Sequence, residues 1–234
     1  MTTPVQTRVL VVDDDALVRD AYRSFFTGRD DFVLVGEARN GAEAVDSYAS
    51  LRPALVLMDL QMPGVSGIEG TQRICSRWPG ACVVALTTFG TRDYIVAALR
   101  AGAAGYLLKD AGADQLISSM HQALCGDMPL SSSIRRQLVT SVTQGRPTSA
   151  PADIGLTRRE AELLGWLTQG LTNFQIGRQM YVSEGSVKQY LSHIGDKLGV
   201  KSRTQILVKA IQLNIVDPHL MPTLSEPVES LTHA

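Results

Sequence analysis

Residues 8–20 read RVLVVDDDALVRD, an apolar run that is rich in valine and ends abruptly in three consecutive carboxylates. The apolar residues do not alternate with polar ones, which is typical of a strand buried on both faces of a sheet. Three ionised aspartates close together repel one another unless positive charge or hydrogen-bond donors offset them. The stretch therefore predicts a central strand that ends at a site able to hold a cation.

Four further apolar runs follow at intervals of about 20 to 25 residues, and segments with helical spacing separate them. The five runs are RVLVV, FVLVGEA, ALVLMD, CVVALT and GYLLK. Gly41–Leu51 and residues 91–101 carry apolar side chains three and four positions apart, as an amphipathic helix does. Five alternations of strand and helix within residues 1–124 predict an α/β domain with a five-stranded, parallel, doubly wound sheet.

Polar residues follow or end four of these strands, at the edge where such a sheet binds its ligands. They are Asp13, Asp14, Asp59, Thr87 and Lys109. A divalent cation offsets the repulsion between clustered carboxylates, and an all-oxygen ligand set suits Mg2+, with Mn2+ as the alternative. Beside that cation, Asp59 would be a nucleophile toward a phosphoryl group, Lys109 an opposing positive charge and Thr87 a hydroxyl donor to the phosphate oxygens.

Residues 8–124 resemble the receiver domain of bacterial two-component response regulators. The resemblance rests on the acidic pair at Asp13 and Asp14, the sequence D-x-x-M-P-G that begins at Asp59, the threonine of the fourth strand and the Lys-Asp pair after the fifth. It implies a flavodoxin-like sheet. It also implies that Asp59 accepts a phosphoryl group from a sensor histidine kinase.

The same resemblance implies further roles around Asp59. The implied metal ligands, for Mg2+ or Mn2+, are Asp13, Asp14, Asp59 and the backbone carbonyl of Gln61. Tyr106 would be the aromatic residue that changes rotamer as Thr87 moves toward the phosphate. A half-buried core tyrosine would give the same sequence pattern at that position.

Asp15 has two interpretations, as an N-cap for the helix ALVRDAYRSFF or as a participant in the site. Asp13-x-Asp15 also resembles the first motif of haloacid-dehalogenase-type phosphatases, in which Asp13 would be the nucleophile and Asp15 the general acid. Against this alternative, D-x-x-M-P-G has no role there and no acidic pair follows Lys109 on another strand. Ala16-Leu17 also stands where Gly-Thr is usual. We therefore expect a regulator rather than an enzyme.

The chain divides into two modules of different charge. Its net charge is −1, but residues 1–124 carry 11 Lys+Arg against 14 Asp+Glu, whereas residues 151–215 carry 8 against 5. An acidic front and a basic rear suggest different partners. Residues 125–153 are rich in Ser, Thr, Pro and Gly, and we expect a linker there, with a short helix within 133–143 and a flexible tether at 145–152.

Residues 154–216 predict a basic module of four short helices. Thr157 and Glu160 form a capping-box pattern before AELLGWLTQG. Asn173–Met180 predicts a short helix, and Ser183 is expected to cap a longer one that runs to about residue 198. The tight connection between the two and their shared apolar face are typical of a helix-turn-helix, whose second helix enters the major groove of DNA.

Polar side chains on the second helix of this motif supply the expected contacts to DNA. Lys188 and Gln189 lie in its first half, where side chains meet base edges. The cations expected at phosphates are Arg158, Arg159, Arg178, Lys201 and Arg203. Gly195, inside the same helix, costs about 1 kcal/mol relative to alanine and predicts a shortened or loosened distal end.

The rear module resembles the LuxR-type output domain of NarL/FixJ-type transcription factors, through LTRRE, N-x-x-I-G, VSEGSVKQYLSHI and KLGVKSRTQ. The resemblance implies that Lys188, Gln189 and Ser192 contact bases or phosphates and that a last helix over 203–213 forms a two-fold dimer contact. Ser192 is shorter than the basic residue often found there. Phe174 replaces a commonly charged residue, which indicates a partner contact or packing. Together the modules imply a phosphorylation-activated regulator that binds double-stranded promoter DNA as a homodimer.

The resemblance implies that an unphosphorylated receiver can mask the output helices, and that phosphorylation then frees them. The alternative is a DNA-binding regulator that ignores phosphate and responds to a ligand or partner. No apolar run approaches the roughly 18 residues of a membrane helix, the N-terminus lacks a signal-peptide pattern, and the three cysteines form no CxxC pair. We therefore expect a cytoplasmic protein with no membrane partner. Residues 217–234 are expected to form a disordered acidic tail.

Overall fold

The front half of the chain alternates strand and helix five times in the computed structural model, which describes residues 6–88, 92–130, 134, 154–213 and 215–216. The elements are β1 (Thr7–Val12), α1 (Ala16–Phe26), β2 (Phe32–Ala38), α2 (Gly41–Leu51), β3 (Leu55–Asp59), α3 (Gly67–Arg77), β4 (Val83–Thr87), α4 (Arg92–Ala101), β5 (Gly105–Leu108) and α5 (Ala113–Leu124). All neighbouring strands pair in parallel, in the order β2-β1-β3-β4-β5. The predicted five-stranded, doubly wound, flavodoxin-like sheet is confirmed.

Strand β1 is apolar from Val9 to Val12 because both of its faces are covered there. Val9 and Val11 pack into a cluster with side chains of α1 and α5, including Phe26 and Met120. Leu10 and Val12 pack into a second cluster with side chains of α2 and α3. Successive residues of a strand point to opposite faces, so a strand with helices on both sides needs apolar residues at every position.

Side-chain caps set where the helices of the front half begin. The Asp15 carboxylate accepts a hydrogen bond of 2.8 Å from the Leu17 backbone N–H, which confirms the N-cap interpretation of Asp15. Asn40 caps α2 in the same way, and Ser66 caps α3. Each cap satisfies an N–H group that has no partner inside the helix. The chain therefore turns from strand to helix at the edge of the sheet where the polar residues gather.

The rear half consists of α6 (Arg158–Thr168), α7 (Asn173–Met180), α8 (Glu184–Leu198) and α9 (Arg203–Gln212). The predicted helix-turn-helix is α7 and α8, with Ser183 as the N-cap of α8. Thr157 and Glu160 form the predicted capping box, and Lys197 reaches the buried Glu160 carboxylate at 2.7 Å. Across the described ranges, none of the helices is long and apolar enough to cross a bilayer.

Gly195 allows close packing between α8 and the turn that follows it. The helix continues unbroken to Leu198, so the prediction of a shortened distal end was wrong. A Cβ atom at Gly195 would lie 2.7 Å from the Val200 carbonyl oxygen, and the Val200 N–H donates to the Gly195 carbonyl at 2.9 Å. The turn that leads into α9 therefore requires a residue without a side chain at position 195.

The chain after α5 runs along the free edge of β5. The Tyr106 N–H donates to the Pro129 carbonyl at 3.1 Å, and Leu130 forms a parallel bridge with Tyr106. The first residues of the predicted linker thus cover an exposed sheet edge. The predicted helix within 133–143 and the tether at 145–152 lie outside the described residues, apart from the buried Ile134, as does the predicted tail.

The two halves pack against each other through α4 and α9, a contact we call the interdomain seam. Side chains of both helices, including Leu99 and Leu207, belong to one buried apolar cluster. The Thr204 hydroxyl donates to the Ala103 carbonyl at 2.7 Å, and Gln205 Nε2 donates to the Arg100 carbonyl at 3.0 Å. The described residues that form the polar contacts of the seam, through side chains or backbone, are Arg100, Ala103, Asp127, Asn173, Arg203, Thr204 and Gln205.

Replacing Gly67 with alanine should destabilise the protein by about 3 kcal/mol, because the new Cβ atom would lie only 1.7 Å from the Asp59 carbonyl oxygen. Gly80→Ala is the matched control, since nothing lies within 4 Å of the position that its new Cβ atom would take. Urea unfolding followed by circular dichroism measures both free energies. Equal losses in the two variants would contradict the close approach of α3 to the end of β3.

Candidate functional site

Four strand ends bring polar side chains together at one edge of the sheet. The strand order reverses direction between β1 and β3, and sheets of this kind bind ligands in the crevice beyond that point. Asp13 follows β1, Asp59 ends β3 and Thr87 ends β4. These residues are 1%, 4% and 1% exposed. Buried polar groups need compensating partners, so their partners define the chemistry of the crevice.

Lys109 supplies the compensating charge from the end of β5. Its Nζ lies 2.6 Å from Asp13 Oδ2 and 3.0 Å from Asp59 Oδ2. The lysine side chain is 16% exposed, so solvent screens these ion pairs much less than it screens surface pairs. One cation is therefore shared by two buried carboxylates that come from different strands.

Three carboxylates at this edge could share a metal ion. Oxygen atoms of Asp13, Asp14 and Asp59 lie within 4.8 Å of one another, with Asp14 on the exposed side. Hard divalent cations prefer such oxygen donors, and Mg2+ keeps several waters, for which the exposed side leaves room. The residues present therefore fit a Mg2+ or Mn2+ site.

Proton affinities in the pocket follow from burial and from the shared lysine. Burial raises the pKa of Asp59, and the hydrogen bond and charge of Lys109 oppose that rise. Burial lowers the pKa of Lys109, but its bonds to Asp13 and Asp59 outweigh burial and raise the pKa overall. Burial, with the negative charges of the same two aspartates, raises the pKa of nearby Tyr22 to about 12. The pocket therefore has negative potential and a lysine that stays charged.

Backbone hydrogen bonds fix the ends of the strands around the pocket. The Asp13 N–H donates to the Ala38 carbonyl at 3.1 Å. The Gln61 N–H donates to Asp59 Oδ1 at 3.3 Å, and the Lys109 N–H donates to the Thr87 carbonyl at 2.8 Å. Side chains anchored in this way change position little, which favours a preorganised site.

Thr87 and Tyr106 lie next to each other on β4 and β5. Both side chains are buried, and Tyr106 is 0% exposed. Burial raises the pKa of Tyr106 to about 12, and the nearby Thr87 side chain moderates that rise. Among the described residues, the buried Tyr106 hydroxyl has no hydrogen-bond partner. Tyr106 also belongs to the apolar cluster that contains the interdomain seam. The pair therefore lies between the pocket edge and the side of the sheet where the rear half packs.

Most residues predicted to contact DNA lie on the surface. Lys188, Gln189 and Ser192 are exposed on α8, and Arg178 and Lys201 are exposed on either side of it. Lys188, Ser192 and Lys201 also border a cavity whose opposite wall contains Pro79 and Gly80 of the front half. In this arrangement the front half stands beside the face of α8 that was predicted to read DNA.

Arg203, which was predicted to contact a DNA phosphate, is buried between the two halves. Its side chain is 8% exposed, donates to the Leu171 carbonyl and to Asn173 Oδ1, and lies 3.8 Å from the Asp127 carboxylate. The Asn173 N–H donates to the same carboxylate at 2.8 Å. In this arrangement the seam buries the guanidinium, so Arg203 is not exposed to a phosphate here and its expected DNA contact stays a prediction. Sequence reasoning also missed Asp127, since a single acidic residue after a helix carries no distinguishing pattern.

Comparisons with known families match both halves. The model of the response regulator receiver domain matches residues 9–121, and that of bacterial regulatory proteins of the luxR family matches residues 155–210. The transcriptional regulatory protein LnrK of Bacillus subtilis is 34% identical over 215 residues, which cover 89% of this chain and 98% of that protein. The nitrate/nitrite response regulator protein NarL of Escherichia coli K12 is 34% identical over 200 residues, 86% and 93% of the two chains.

A solved structure agrees with this assignment. The crystal structure of the response regulator ChrA of a heme-sensing two-component system is 35% identical, with a TM-score of 0.50, and the match covers 90% of this chain and 99% of that one. Because the relatives are transcriptional regulators and Asp15 caps α1, the phosphatase interpretation is excluded. The chain belongs to the two-component transcriptional response regulators that join a receiver domain to a LuxR-type DNA-binding domain.

Proposed function

We propose that Asp59 is the phosphoryl acceptor and that a sensor histidine kinase is the donor. The supporting observation is the position of the Asp59 carboxylate, buried between the acidic residues and 3.0 Å from Lys109 Nζ. An Asp59 oxygen attacks phosphorus, a bond to that oxygen forms, and the bond between phosphorus and the donor nitrogen breaks. The product is an acyl phosphate, and Lys109 offsets the charge that arrives with it.

Asp13, Asp14 and Asp59, with the Gln61 backbone carbonyl, would hold Mg2+ or Mn2+. When bound, the cation neutralises phosphoryl oxygens and so lowers the repulsion between donor and acceptor. Asp13 contributes in a second way, because it keeps Lys109 within reach of Asp59. The chain thus supplies the positive charge of Lys109 next to Asp59, and the carboxylates of Asp13 and Asp14 as metal ligands.

Thr87 and Tyr106 would report phosphorylation to the rest of the molecule. The Thr87 hydroxyl turns toward the new phosphate oxygens and leaves Tyr106, whose rotamer then changes. Tyr106 packs in the same cluster as the interdomain seam, so its movement alters the surface on which α9 lies. This shifts the equilibrium between a closed and an open arrangement of the two halves, and no rigid mechanical link is required.

The closed arrangement of the two halves would be the resting state. The seam buries Arg203 and the face of α9 predicted to form the dimer contact, and Pro79 and Gly80 stand beside Lys188 and Ser192. Phosphorylation then favours an open form that dimerises through α9. Its recognition helix would place Lys188, Gln189 and Ser192 at base edges or phosphates of promoter DNA, with Arg178 and Lys201 at flanking phosphates. We place this cycle in the cytoplasm, where the kinase domain and the promoter are both accessible.

Incubation with acetyl phosphate and Mg2+ should attach about one phosphate per chain, and Asp59→Asn should remove the label completely. Intact-mass spectrometry measures the stoichiometry. Asp114→Asn, at an exposed position on α5, is the matched control and should label like the wild type. An unlabelled wild-type protein would favour the phosphate-independent regulator instead.

Lys109→Met should raise the pKa of Asp59 further, because the loss of a cation within hydrogen-bond distance disfavours the ionised carboxylate. Carbon-13 NMR of labelled aspartate side chains follows the titration. Arg73→Met removes an exposed cation that pairs with Glu69 and should leave the Asp59 titration unchanged. A pKa that does not rise in Lys109→Met would contradict the assigned ion pair.

Asp127→Ala should open the seam without a phosphodonor, because the Asn173 N–H loses its acceptor and the Arg203 guanidinium loses the carboxylate 3.8 Å away. Loss of a charged, partly buried hydrogen-bond partner costs about 1–3 kcal/mol, so binding to a mixed-sequence DNA duplex should strengthen by roughly tenfold. Fluorescence anisotropy at fixed salt measures this affinity. Asp127 lies outside the rear half, so the DNA-contacting residues are unchanged, and unaltered affinity would rule out a masking role for the seam.

A further inference from the structure

Arg19, a residue of α1, supports the backbone of Asp13 and Asp14, which we call the acidic loop. Its Nη1 donates to the Asp13 carbonyl at 2.7 Å and to the Asp14 carbonyl at 3.1 Å. We propose that Arg19, together with Glu37, is a positioning residue that orients the acidic pair and thereby sets the affinity for the divalent cation. This inference rests on the proposed metal ligands, and it adds two residues whose side chains would not themselves coordinate the metal.

The acidic loop needs hydrogen bonds from outside the sheet because the pairing between β1 and β2 ends before it. The pairing of β1 with β2 ends at Val12 and Ala38, and the Asp13 N–H makes the last bond to β2. Beyond that point the orientation of the peptide planes depends on bonds from elsewhere. Two bonds from one planar guanidinium fix two successive carbonyls, and thereby the directions in which the side chains of Asp13 and Asp14 leave the backbone.

The charge of Arg19 is offset before it can repel a metal ion. Its Nε lies 3.5 Å from Glu37 Oε2, on β2, and Glu37 is also bound by Arg23 through two hydrogen bonds of 2.9 Å. An unpaired guanidinium next to three carboxylates would compete electrostatically with a divalent cation. Glu37 therefore lets the arginine serve as a hydrogen-bond donor to the loop while adding little positive potential to the pocket.

Exposure separates Arg19 from an ordinary surface ion pair. The Arg19 side chain is 14% exposed, whereas that of Arg23 is 57% exposed and bonds only to the carboxylates of Glu37 and Asp20 among the described residues. Arg19 instead directs its terminal nitrogen at main-chain oxygens of the residues that would bind metal. Partners that orient metal ligands typically change metal affinity by 10- to 100-fold when they are removed.

The test is a calorimetric titration of the unphosphorylated full-length protein with Mn2+. Arg19→Gln should weaken Mn2+ binding by roughly tenfold. Arg19→Lys keeps the charge and one donor nitrogen but has a shorter side chain, so it should weaken binding less, and it serves as the second variant if Arg19→Gln does not fold. Arg73→Gln, which removes an exposed cation paired with Glu69 on α3, is the control and should bind Mn2+ like the wild type.

A second readout separates positioning from general structural support. Labelling by acetyl phosphate should require more Mg2+ for half-saturation in Arg19→Gln but should reach the wild-type level when Mg2+ is saturating. A label that stays low at every Mg2+ concentration would overturn the positioning role, because it would indicate a damaged pocket.

Asp14→Asn distinguishes failure of this inference from failure of the proposed function. If Asp14→Asn weakens Mn2+ binding but Arg19→Gln does not, the role of Arg19 is refuted and the metal site stands. If the wild type binds no Mn2+, or if Asp14→Asn binds it as well as the wild type, the proposed metal site itself is wrong.

Discussion

The structure depends on one ammonium group shared by two buried carboxylates. A parallel sheet brings the ends of its strands to one edge, so acidic residues on β1 and β3 are brought together whether or not their charges are compatible. Lys109, from the end of β5, offsets that repulsion across the width of β3 and β4. The same contact lets the domain keep the ionisable Asp59 carboxylate buried, which an apolar interior alone would disfavour.

The strand that supplies this lysine also faces the DNA-binding half. Tyr106 lies within β5, its side chain is buried in the cluster that includes α9, and its backbone bonds to the segment that leads out of the receiver. A single strand of four residues, Gly105–Leu108, thus connects the acidic pocket to the interdomain seam. Tyr106 of this strand packs in the same buried cluster as the seam residues, and contiguous packing of this kind is one physical route for coupling between two sites.

Sequence reasoning succeeded where a local pattern and a topological rule agree. The apolar runs predicted the strands, the strand-end rule predicted which side chains meet, and the capping pattern predicted the starts of α6 and α8. It failed where the outcome depends on the fit of two surfaces. Nothing in the residues around Arg203 indicates that it would be buried beside Asp127. The prediction for Gly195 considered only the low helix propensity of glycine, whereas the structure shows that its small size allows close packing against Val200.

The polar character of the seam has a consequence for its hydration. Each contact such as that of Thr204 with the Ala103 carbonyl replaces bonds to water, so its net contribution to closure is only about 1 kcal/mol. When the two surfaces part, water re-forms the lost bonds at these polar atoms. The apolar side chains of the seam, including Leu99 and Leu207, lose their cover at the same time, so separation of the two halves is favoured where another surface covers α4 and α9.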